Sequence, residues 1–191
     1  MVSHTFYTQH TEEFYDFYKN KMIFLDAKPN KAHLKLAEME QAGKLSAIVT
    51  QNIDGLHQAA GSKNVFELHG SVHRNYCQKC GKFFDVNYVV NAKGVPYCDE
   101  CGGIIKPDVV LYEEGLDSQT INGAVRAISK ADMLIIGGTS LVVYPAAGMI
   151  DYFKGKYLAV LNRDATSRDK QADLCITDPV SYTHLTLPTK R

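Results

Sequence analysis

The chain has 191 residues, of which 45% are hydrophobic and 22% are charged, the proportions of an ordinary globular protein. Its 21 Lys and Arg residues balance 21 Asp and Glu residues, so no net charge draws it toward nucleic acid or a membrane surface. This length fits one domain with a small insertion.

The N-terminal segment carries no export signal. Residues 1–10 lack the basic and apolar regions of a signal peptide. No apolar run approaches the ~20 residues of a membrane span. We therefore expect a cytoplasmic protein whose thiols are reduced.

Two helices are predicted in the first part of the chain. Aromatic residues at helical spacing predict a helix over residues 11–22, with Thr11 as a candidate N-cap. A second helix is predicted from the Asn30 cap to residue 42.

The rest of the chain alternates predicted strands with predicted helices. Strands are predicted at residues 46–50, 65–68, 133–136, 157–161 and 174–176, and helices at 118–129 and 146–153. This alternation predicts an α/β fold with a parallel sheet covered by helices on both faces. Cys175, in the last strand, is predicted to be a small buried residue.

Four cysteines interrupt this pattern between about residues 74 and 105. They form two Cys-x-x-Cys pairs, a spacing that suits one Zn²⁺ held tetrahedrally by four thiolates. Because four thiolates leave no coordination position open, the metal is expected to be structural. The predicted ligands are Cys77, Cys80, Cys98 and Cys101. Two disulfides or a thioredoxin-like redox pair are the alternatives, disfavoured by the missing export signal and by the two matching pairs.

Three polar clusters follow predicted strands, at residues 50–54, 138–140 and 162–164. Ligands of parallel α/β sheets bind at the carboxyl ends of the strands. The coincidence favours a nucleotide site over simple turns.

Four motifs, in this order, resemble those of the sirtuins, which are NAD-dependent protein lysine deacylases. They are Thr50-Gln-Asn-Ile-Asp54, Leu68-His-Gly70, the paired cysteines and Gly138-Thr-Ser-Leu141, and the resemblance covers residues 1 to about 178. It implies a Rossmann-like NAD-binding domain, residues 1–72 and 104–180, with a zinc-ribbon insertion at 73–103. NAD and an acetyl-lysine peptide would meet in the cleft between these parts.

The resemblance also implies a role for each motif. His69 would be the general base that takes a proton from the nicotinamide ribose while the acyl oxygen attacks the anomeric carbon, since imidazole titrates close to working pH. Without the resemblance, residues 52–55 equally fit an Asx turn and residues 138–140 a common loop. The implied NAD-binding residues are Gln51, Asn52, Ile53, Asp54, Gly138, Thr139, Ser140, Asn162, Arg163 and Asp164.

Residues 106–114 resemble the family's substrate-binding stretch, Arg-Pro-x-Val-Val-x-Phe-Gly-Glu, with three departures. The departures are Lys106 for Arg, Tyr112 for Phe and Glu113 for Gly. An extended peptide would add to this edge as a strand. The implied peptide contacts are Val109, Val110 and Tyr112. Glu113 makes the rim more acidic, but the acidic residues of 113–117 equally fit a solvated face.

Family members that prefer succinyl or malonyl groups carry Tyr-x-x-Arg on an early helix. The corresponding place here reads Tyr15-Asp-Phe-Tyr18. Without an arginine fork to pair an acyl carboxylate, the prediction is acetyl or another neutral acyl group.

Both ends of the chain depart from the family pattern. The first strand and the Gly-Ala-Gly-x-Ser turn, which hold the pyrophosphate in the family, have no counterpart in residues 1–30. Residues 181–191 lack helical periodicity and contain Pro188. We therefore expect Met1 to be internal to a longer gene and residues 181–191 to be foreign sequence. The chain itself is expected to bind NAD weakly and to turn over slowly or not at all, whereas the product of the parent gene is expected to be active.

Two other functions remain as alternatives. A zinc-ribbon interaction module could bind nucleic acid through Lys79, Lys82 and Lys93, but the balanced charge and the lack of a dense basic stripe disfavour it. A sirtuin-like protein could instead transfer ADP-ribose to a target protein. That target would gain mass, whereas deacetylation yields nicotinamide and O-acetyl-ADP-ribose.

Overall fold

The computed structural model describes residues 1–142, 144 and 146–180, so the predicted foreign tail at 181–191 lies outside the described residues. The helices are α1 (His4–Gln9), α2 (Thr11–Lys21), α3 (Lys31–Gln41), α4 (Leu56–Ala59), α5 (Val86–Asn91), α6 (Ser118–Lys130) and α7 (Ala146–Met149). The strands are β1 (Ile48–Thr50), β2 (Val65–Glu67), β3 (Asn75–Cys77), β4 (Phe83–Phe84), β5 (Ile105–Pro107), β6 (Met133–Gly137), β7 (Tyr157–Leu161) and β8 (Leu174–Ile176).

The described residues divide into two compact units. The first contains Met1–Ala27, Thr50–Gly55 and Glu67–Asp117, and the second contains Lys28–Val49, Leu56–Phe66 and the chain from Ser118. These boundaries differ from those of the predicted domains, which remain a prediction. No helix of the described residues is long and apolar enough to cross a membrane.

The N-terminal helices of the first unit are built around aromatic side chains. The helix predicted over residues 11–22 is confirmed as α2, but the hydroxyl of Thr11 donates to the Tyr7 carbonyl (2.9 Å), and the residue at the N-cap is His10. Helix α1 was not predicted; Ser3 caps it by accepting from the Phe6 N–H (3.1 Å). The fully buried aromatic residues are Phe14, Tyr15 and Tyr18, packed with Tyr7.

The cysteine-bearing segment of the first unit forms an antiparallel sheet in the order β4-β3-β5. Asn75 lies at its centre, fully buried, and its side-chain amide donates to the carbonyls of Val72 (3.1 Å) and Phe84 (3.3 Å). The partner of Cys77 across the β3–β5 ladder is Ile105. This ladder therefore joins a predicted metal ligand to the strand that leads into residues 108–110.

The second unit contains the predicted parallel sheet. Strands β6, β7 and β8 are parallel and lie in the order β6-β7-β8, which confirms the predicted α/β organisation. Helix α3 starts at the predicted Asn30 cap, whose side-chain oxygen accepts from the backbone N–H groups of Ala32 and His33. The predicted burial of Cys175 is wrong: β8 is the outer strand of this sheet, and Cys175 is exposed.

Candidate active site and metal centre

The predicted base, His69, follows β2 and is held by a main-chain carbonyl. Its Nδ1 lies 3.1 Å from the carbonyl oxygen of Gln51. Since a carbonyl oxygen only accepts hydrogen bonds, Nδ1 must carry the hydrogen. In the neutral ring, Nε2 is then left with a free lone pair and can accept a proton.

The loop after His69 is hydrogen-bonded to the predicted NAD-binding residues 51–54. The Val72 N–H donates to the Ile53 carbonyl (3.0 Å), and His73 Nε2 lies 3.0 Å from the Asp54 carbonyl oxygen. The structure thus brings His69 and residues 51–54 together, as predicted. The bonds that do so use main-chain carbonyls of 51–54, so the side chains of Asn52 and Asp54 do not form them.

A close backbone approach places the predicted peptide-binding segment beside His69. The Val110 N–H donates to the His69 carbonyl (3.0 Å). Gly70 has a φ of 71°, and a Cβ at this position would lie 1.6 Å from the Asp108 carbonyl oxygen. Glycine is therefore required here by both the conformation and the space.

A cavity of about 400 Å³ opens along this segment and is lined by Val109 and Val110, together with Tyr76, Gln78 and residues 114–117. Tyr112, the third predicted peptide contact, is not among the lining residues and is exposed. Its N–H donates to the Val2 carbonyl (3.0 Å).

Glu114 organises the end of the predicted substrate-binding stretch. One carboxylate oxygen accepts from Lys106 Nζ (3.0 Å) and from the Leu111 N–H (2.9 Å), and the other lies 2.8 Å from Nδ1 of His4. Burial opposes ionisation, but these hydrogen bonds outweigh it and lower the pKa of Glu114. Lys106 also donates to the Val109 carbonyl (3.1 Å), so it supports the segment in the position where the family has arginine.

Glu113, which replaces the family's glycine, adopts the left-handed conformation that glycine favours, with a φ of 78°. Its carboxylate accepts from the backbone N–H (2.9 Å) and the hydroxyl (2.7 Å) of Thr5, in the first turn of α1. These bonds lower the pKa of Glu113. Glu113 and Glu114 therefore both accept hydrogen bonds from other residues of the protein. Residues of a merely solvated acidic face would not need such bonds.

Two further residues of this loop were not singled out from the sequence. Arg74 donates to Glu67 and to Asp108, both at 2.7 Å, and His73 contacts Asp54 as described above. In the sequence, only the charged residues Glu67, beside the Leu-His-Gly motif, and Asp108, beside the Val-Val pair, could have indicated these contacts.

The second unit brings together the other predicted NAD-binding residues. A cavity of about 310 Å³ lies at the carboxyl ends of the parallel strands, lined by Gly138, Thr139, Ser140, Asn162, Arg163, Asp164, Ala165, Pro179 and Val180. Asn162 Nδ2 donates to the Asp164 carbonyl (2.7 Å), and Arg163 pairs with the Asp164 carboxylate (3.0 Å). This position matches the ligand site of parallel α/β sheets.

The four predicted zinc ligands form one cluster. Their sulfur atoms all lie within 4.8 Å of one another, with Sγ–Sγ distances of 3.4 Å for Cys77–Cys101 and 3.7 Å for Cys80–Cys98. Tetrahedral zinc with Zn–S bonds of about 2.3 Å requires sulfur atoms ~3.8 Å apart. A disulfide needs about 2 Å, so the cluster fits zinc and not the disulfide alternative.

The pKa values of the cysteine thiols differ within the cluster. Burial opposes ionisation of Cys77, but backbone N–H groups of Cys80 and Lys79 outweigh it and lower its pKa to about 6. The Lys82 N–H favours the Cys80 thiolate, yet hydrogen bonds to Cys101 and Cys77 raise the Cys80 pKa to about 12. All four sulfur atoms can be thiolates together only with a cation beside them, and a bound Zn²⁺ would supply that charge.

Tyr15 and Tyr18 are fully buried in the aromatic core, and the Tyr15 hydroxyl donates to the Ile105 carbonyl. The preference for acetyl or another neutral acyl group stays a prediction. For the nucleic-acid alternative, Lys82 is already paired with Asp99 and Glu100, both at 2.8 Å.

Comparison with known proteins gives consistent matches. A sequence model of the Sir2 family matches residues 1–145. An NAD-dependent protein deacetylase of Clostridium acetobutylicum is 65% identical over 181 residues, which cover 94% of this chain and 74% of that protein. A second, from Clostridium perfringens, is 62% identical with the same coverage.

Solved structures agree. A structure of Sir2 with a p53 peptide and NAD⁺ superposes with a TM-score of 0.88 at 40% identity, covering 95% of this chain and 78% of that chain. Sir2 bound to an acetylated peptide gives a TM-score of 0.87 at 40% identity, covering 94% and 78%.

Replacing one cysteine of the cluster tests the metal centre. We expect Cys98→Ser to lose the bound zinc, about one ion per chain, and to unfold the β3–β5 sheet at a lower temperature, because structural zinc contributes directly to folding. Metal content and thermal unfolding measure this. Cys175→Ser, on the exposed outer strand, is the matched control and should keep its zinc. Equal zinc content in Cys98→Ser and the unmodified chain would contradict the assignment.

Glu114 gives a pH-dependent prediction. Its lowered pKa means that its ionised form stabilises the folded chain above the ordinary unfolded value of about 4.3. We expect Glu114→Gln to melt at a lower temperature than the unmodified chain at pH 7, and this difference to close as the pH falls through the lowered folded pKa. Thermal melts between pH 7 and pH 3 measure the difference; a gap that persists at the acidic end would refute the charge-based explanation.

Proposed function

The chain belongs to the Sir2 family of NAD-dependent protein deacetylases, and we propose that His69 is the general base of its reaction. The reaction removes acetyl groups from lysine side chains of proteins and yields nicotinamide and O-acetyl-ADP-ribose. The observation that carries the proposal is the bond from His69 Nδ1–H to the Gln51 carbonyl. It orients the ring and leaves Nε2 as the proton acceptor.

NAD is a substrate of this reaction and supplies the nicotinamide–ribose bond that is broken. We place its nicotinamide half at Gln51, Asn52, Ile53 and Asp54, because this segment is fixed to the loop that carries His69. Asn52 and Asp54 would contact the carboxamide and the ribose of NAD through their side chains. His69 would then take its proton from a ribose hydroxyl.

The adenosine half is proposed to bind in the cavity of the second unit. Its volume of about 310 Å³ is formed by all six predicted residues of the 138–140 and 162–164 loops. Asn162 and the Arg163–Asp164 pair supply amide, guanidinium and carboxylate groups for a ribose. Gly138, Thr139 and Ser140 supply backbone and hydroxyl groups at the end of β6.

The acetyl-lysine peptide is proposed to pair with Val109 and Val110. This segment is hydrogen-bonded to His69, so a peptide added along it as a strand would lie near the base. Strand pairing uses main-chain bonds and reads little sequence. Tyr112, exposed at the end of the segment, would contact the peptide from the rim.

Zinc has a structural role in this proposal. Cys77, Cys80, Cys98 and Cys101 fill all four positions of the metal, so it activates no water. We further propose that residues 73–103 form a zinc-ribbon insertion in a domain made of 1–72 and 104–180. A cytoplasmic location is proposed on the reduced state of the cysteines.

Substitution of the base tests the proposed function. We expect His69→Ala to lose at least about 100-fold in kcat/KM for an acetyl-lysine peptide, since general bases contribute a factor of that order or more. Affinity for the peptide should stay close to that of the unmodified chain, because Val109 and Val110 pair with it through main-chain groups. Fluorescence polarisation of a labelled acetyl-peptide measures affinity, and mass spectrometry of nicotinamide and O-acetyl-ADP-ribose measures turnover.

The matched control is His10→Gln, which changes an exposed histidine of the same unit whose ring lies near Glu13 (3.6 Å) and stacks on Phe6. It should retain full turnover. Deacetylation by His69→Ala at the rate of the control would refute the role of His69. A mass gain on the target protein, without O-acetyl-ADP-ribose, would instead indicate ADP-ribose transfer.

A further inference from the structure

Arg74 joins two carboxylates that come from different segments of the first unit. Its Nε donates to Asp108 Oδ2 and its Nη1 to Glu67 Oε2, each at 2.7 Å. The Arg74 main chain takes part as well, because its carbonyl accepts from the Asp108 N–H (2.8 Å). One residue therefore links the end of β2 to the segment that follows β5.

The two carboxylates bonded by Arg74 occupy equivalent positions in their segments, each two residues before a residue of the candidate site. Glu67 is two residues before His69, and Asp108 is two residues before Val110. The partners two residues on are themselves bonded, since Val110 N–H donates to the His69 carbonyl (3.0 Å). The side chain of Arg74 thus joins the same two segments as this main-chain bond, two residues earlier along each.

The chemistry of the pair suits arginine and not lysine. The Glu67 side chain is only 7% exposed, so its carboxylate depends on the guanidinium for compensation. The Asp108 side chain is 39% exposed and would be solvated without Arg74. Two nitrogen atoms of one planar group reach both carboxylates at once, which a single ammonium does less well.

We propose that Arg74 is a positioning residue that sets the spacing between the His69 segment and the Val109–Val110 segment. The inference rests on the proposed function for the roles of His69 and Val110. Arg74 is not among the residues that line the cavity beside Val109 and Val110. It acts by holding the base and the peptide-binding edge in one frame, so that a peptide paired with Val110 meets the imidazole at a fixed distance.

This role differs from a purely stabilising one in what a substitution changes. If Arg74 only stabilised the fold, its loss would lower the melting temperature and leave the properties of the folded molecules unchanged. If it sets the spacing, the Val110 N–H will exchange faster in molecules that remain folded. The catalytic loss will then appear with the acetyl-peptide and not in the KM for NAD.

The experiment compares Arg74→Lys and Asp108→Ala with the unmodified chain, using Arg168→Lys as control. Arg168 also bridges two acceptors through its guanidinium, Asp151 (2.6 Å) and Gln171 (3.1 Å), but it belongs to the second unit. Asp108→Ala removes one of the two carboxylates that Arg74 bonds, and the side chain of Asp108 is 39% exposed. This variant therefore keeps the test valid if Arg74→Lys fails to fold. Amide hydrogen exchange by NMR follows Val110 and Asp108, and steady-state kinetics give kcat and both KM values.

For both variants, we expect the Val110 amide to exchange about tenfold faster than in the unmodified chain, measured under conditions in which nearly all molecules are folded. The kcat/KM for the acetyl-peptide should fall about tenfold, as for a modest misplacement of reacting groups. The KM for NAD should stay within about twofold. Arg168→Lys should match the unmodified chain in exchange at Val110 and in peptide kinetics.

Unchanged exchange at Val110 in both variants overturns the inference, as does a loss of kcat/KM that equals the loss of folded protein. Exchange requires no turnover, so it also distinguishes this failure from failure of the proposed function. Deacetylation by His69→Ala at the rate of the unmodified chain would contradict the function of His69. Val110 exchange would still decide whether Arg74 fixes the two segments.

Discussion

Hydrogen bonds to main-chain carbonyls among residues 51–53, 69–72 and 108–110 are the constraint on which the candidate site depends. The carbonyl of Gln51 accepts from His69 Nδ1, the carbonyl of Ile53 from the Val72 N–H, and the carbonyl of His69 from the Val110 N–H. The bonds of Val72 and Val110 are indifferent to most side chains, provided that Gly70 permits the close approach to Asp108. This explains how the substrate-binding stretch keeps its place although Lys106, Tyr112 and Glu113 replace family residues.

The elements that could be predicted from the sequence are those with strong local signals. The strands of the second unit are apolar runs, and α3 begins at an Asn30 that caps it in the structure. Helices α1, α4 and α5 span only four to six residues, too few to form without tertiary contacts, and carry no clear periodicity. The exposure of Cys175 was mispredicted because an outer strand and a central strand can have the same sequence pattern.

The site could be predicted in part for a similar reason. His69, residues 51–54 and the four cysteines are recognisable because their types and spacings are specific, and the structure brings each group together. The ion pairs of Arg74 with Glu67 and Asp108 could not be recognised in this way. These are ordinary charged residues at irregular separations, and their pairing arises only when the turn at Gly70 brings two distant segments together.

The zinc cluster and the candidate active site are connected through one ladder of the first unit. Cys77 pairs with Ile105 across β3 and β5, and β5 continues directly into Asp108, Val109 and Val110. In the proposed zinc centre, the metal would fix the far end of this ladder, and the bonds of Arg74 and of the His69 carbonyl would fix the near end. A metal that takes no part in the chemistry can therefore still govern where the peptide-binding edge lies. Loss of zinc should weaken peptide binding before it affects the parallel sheet of the second unit.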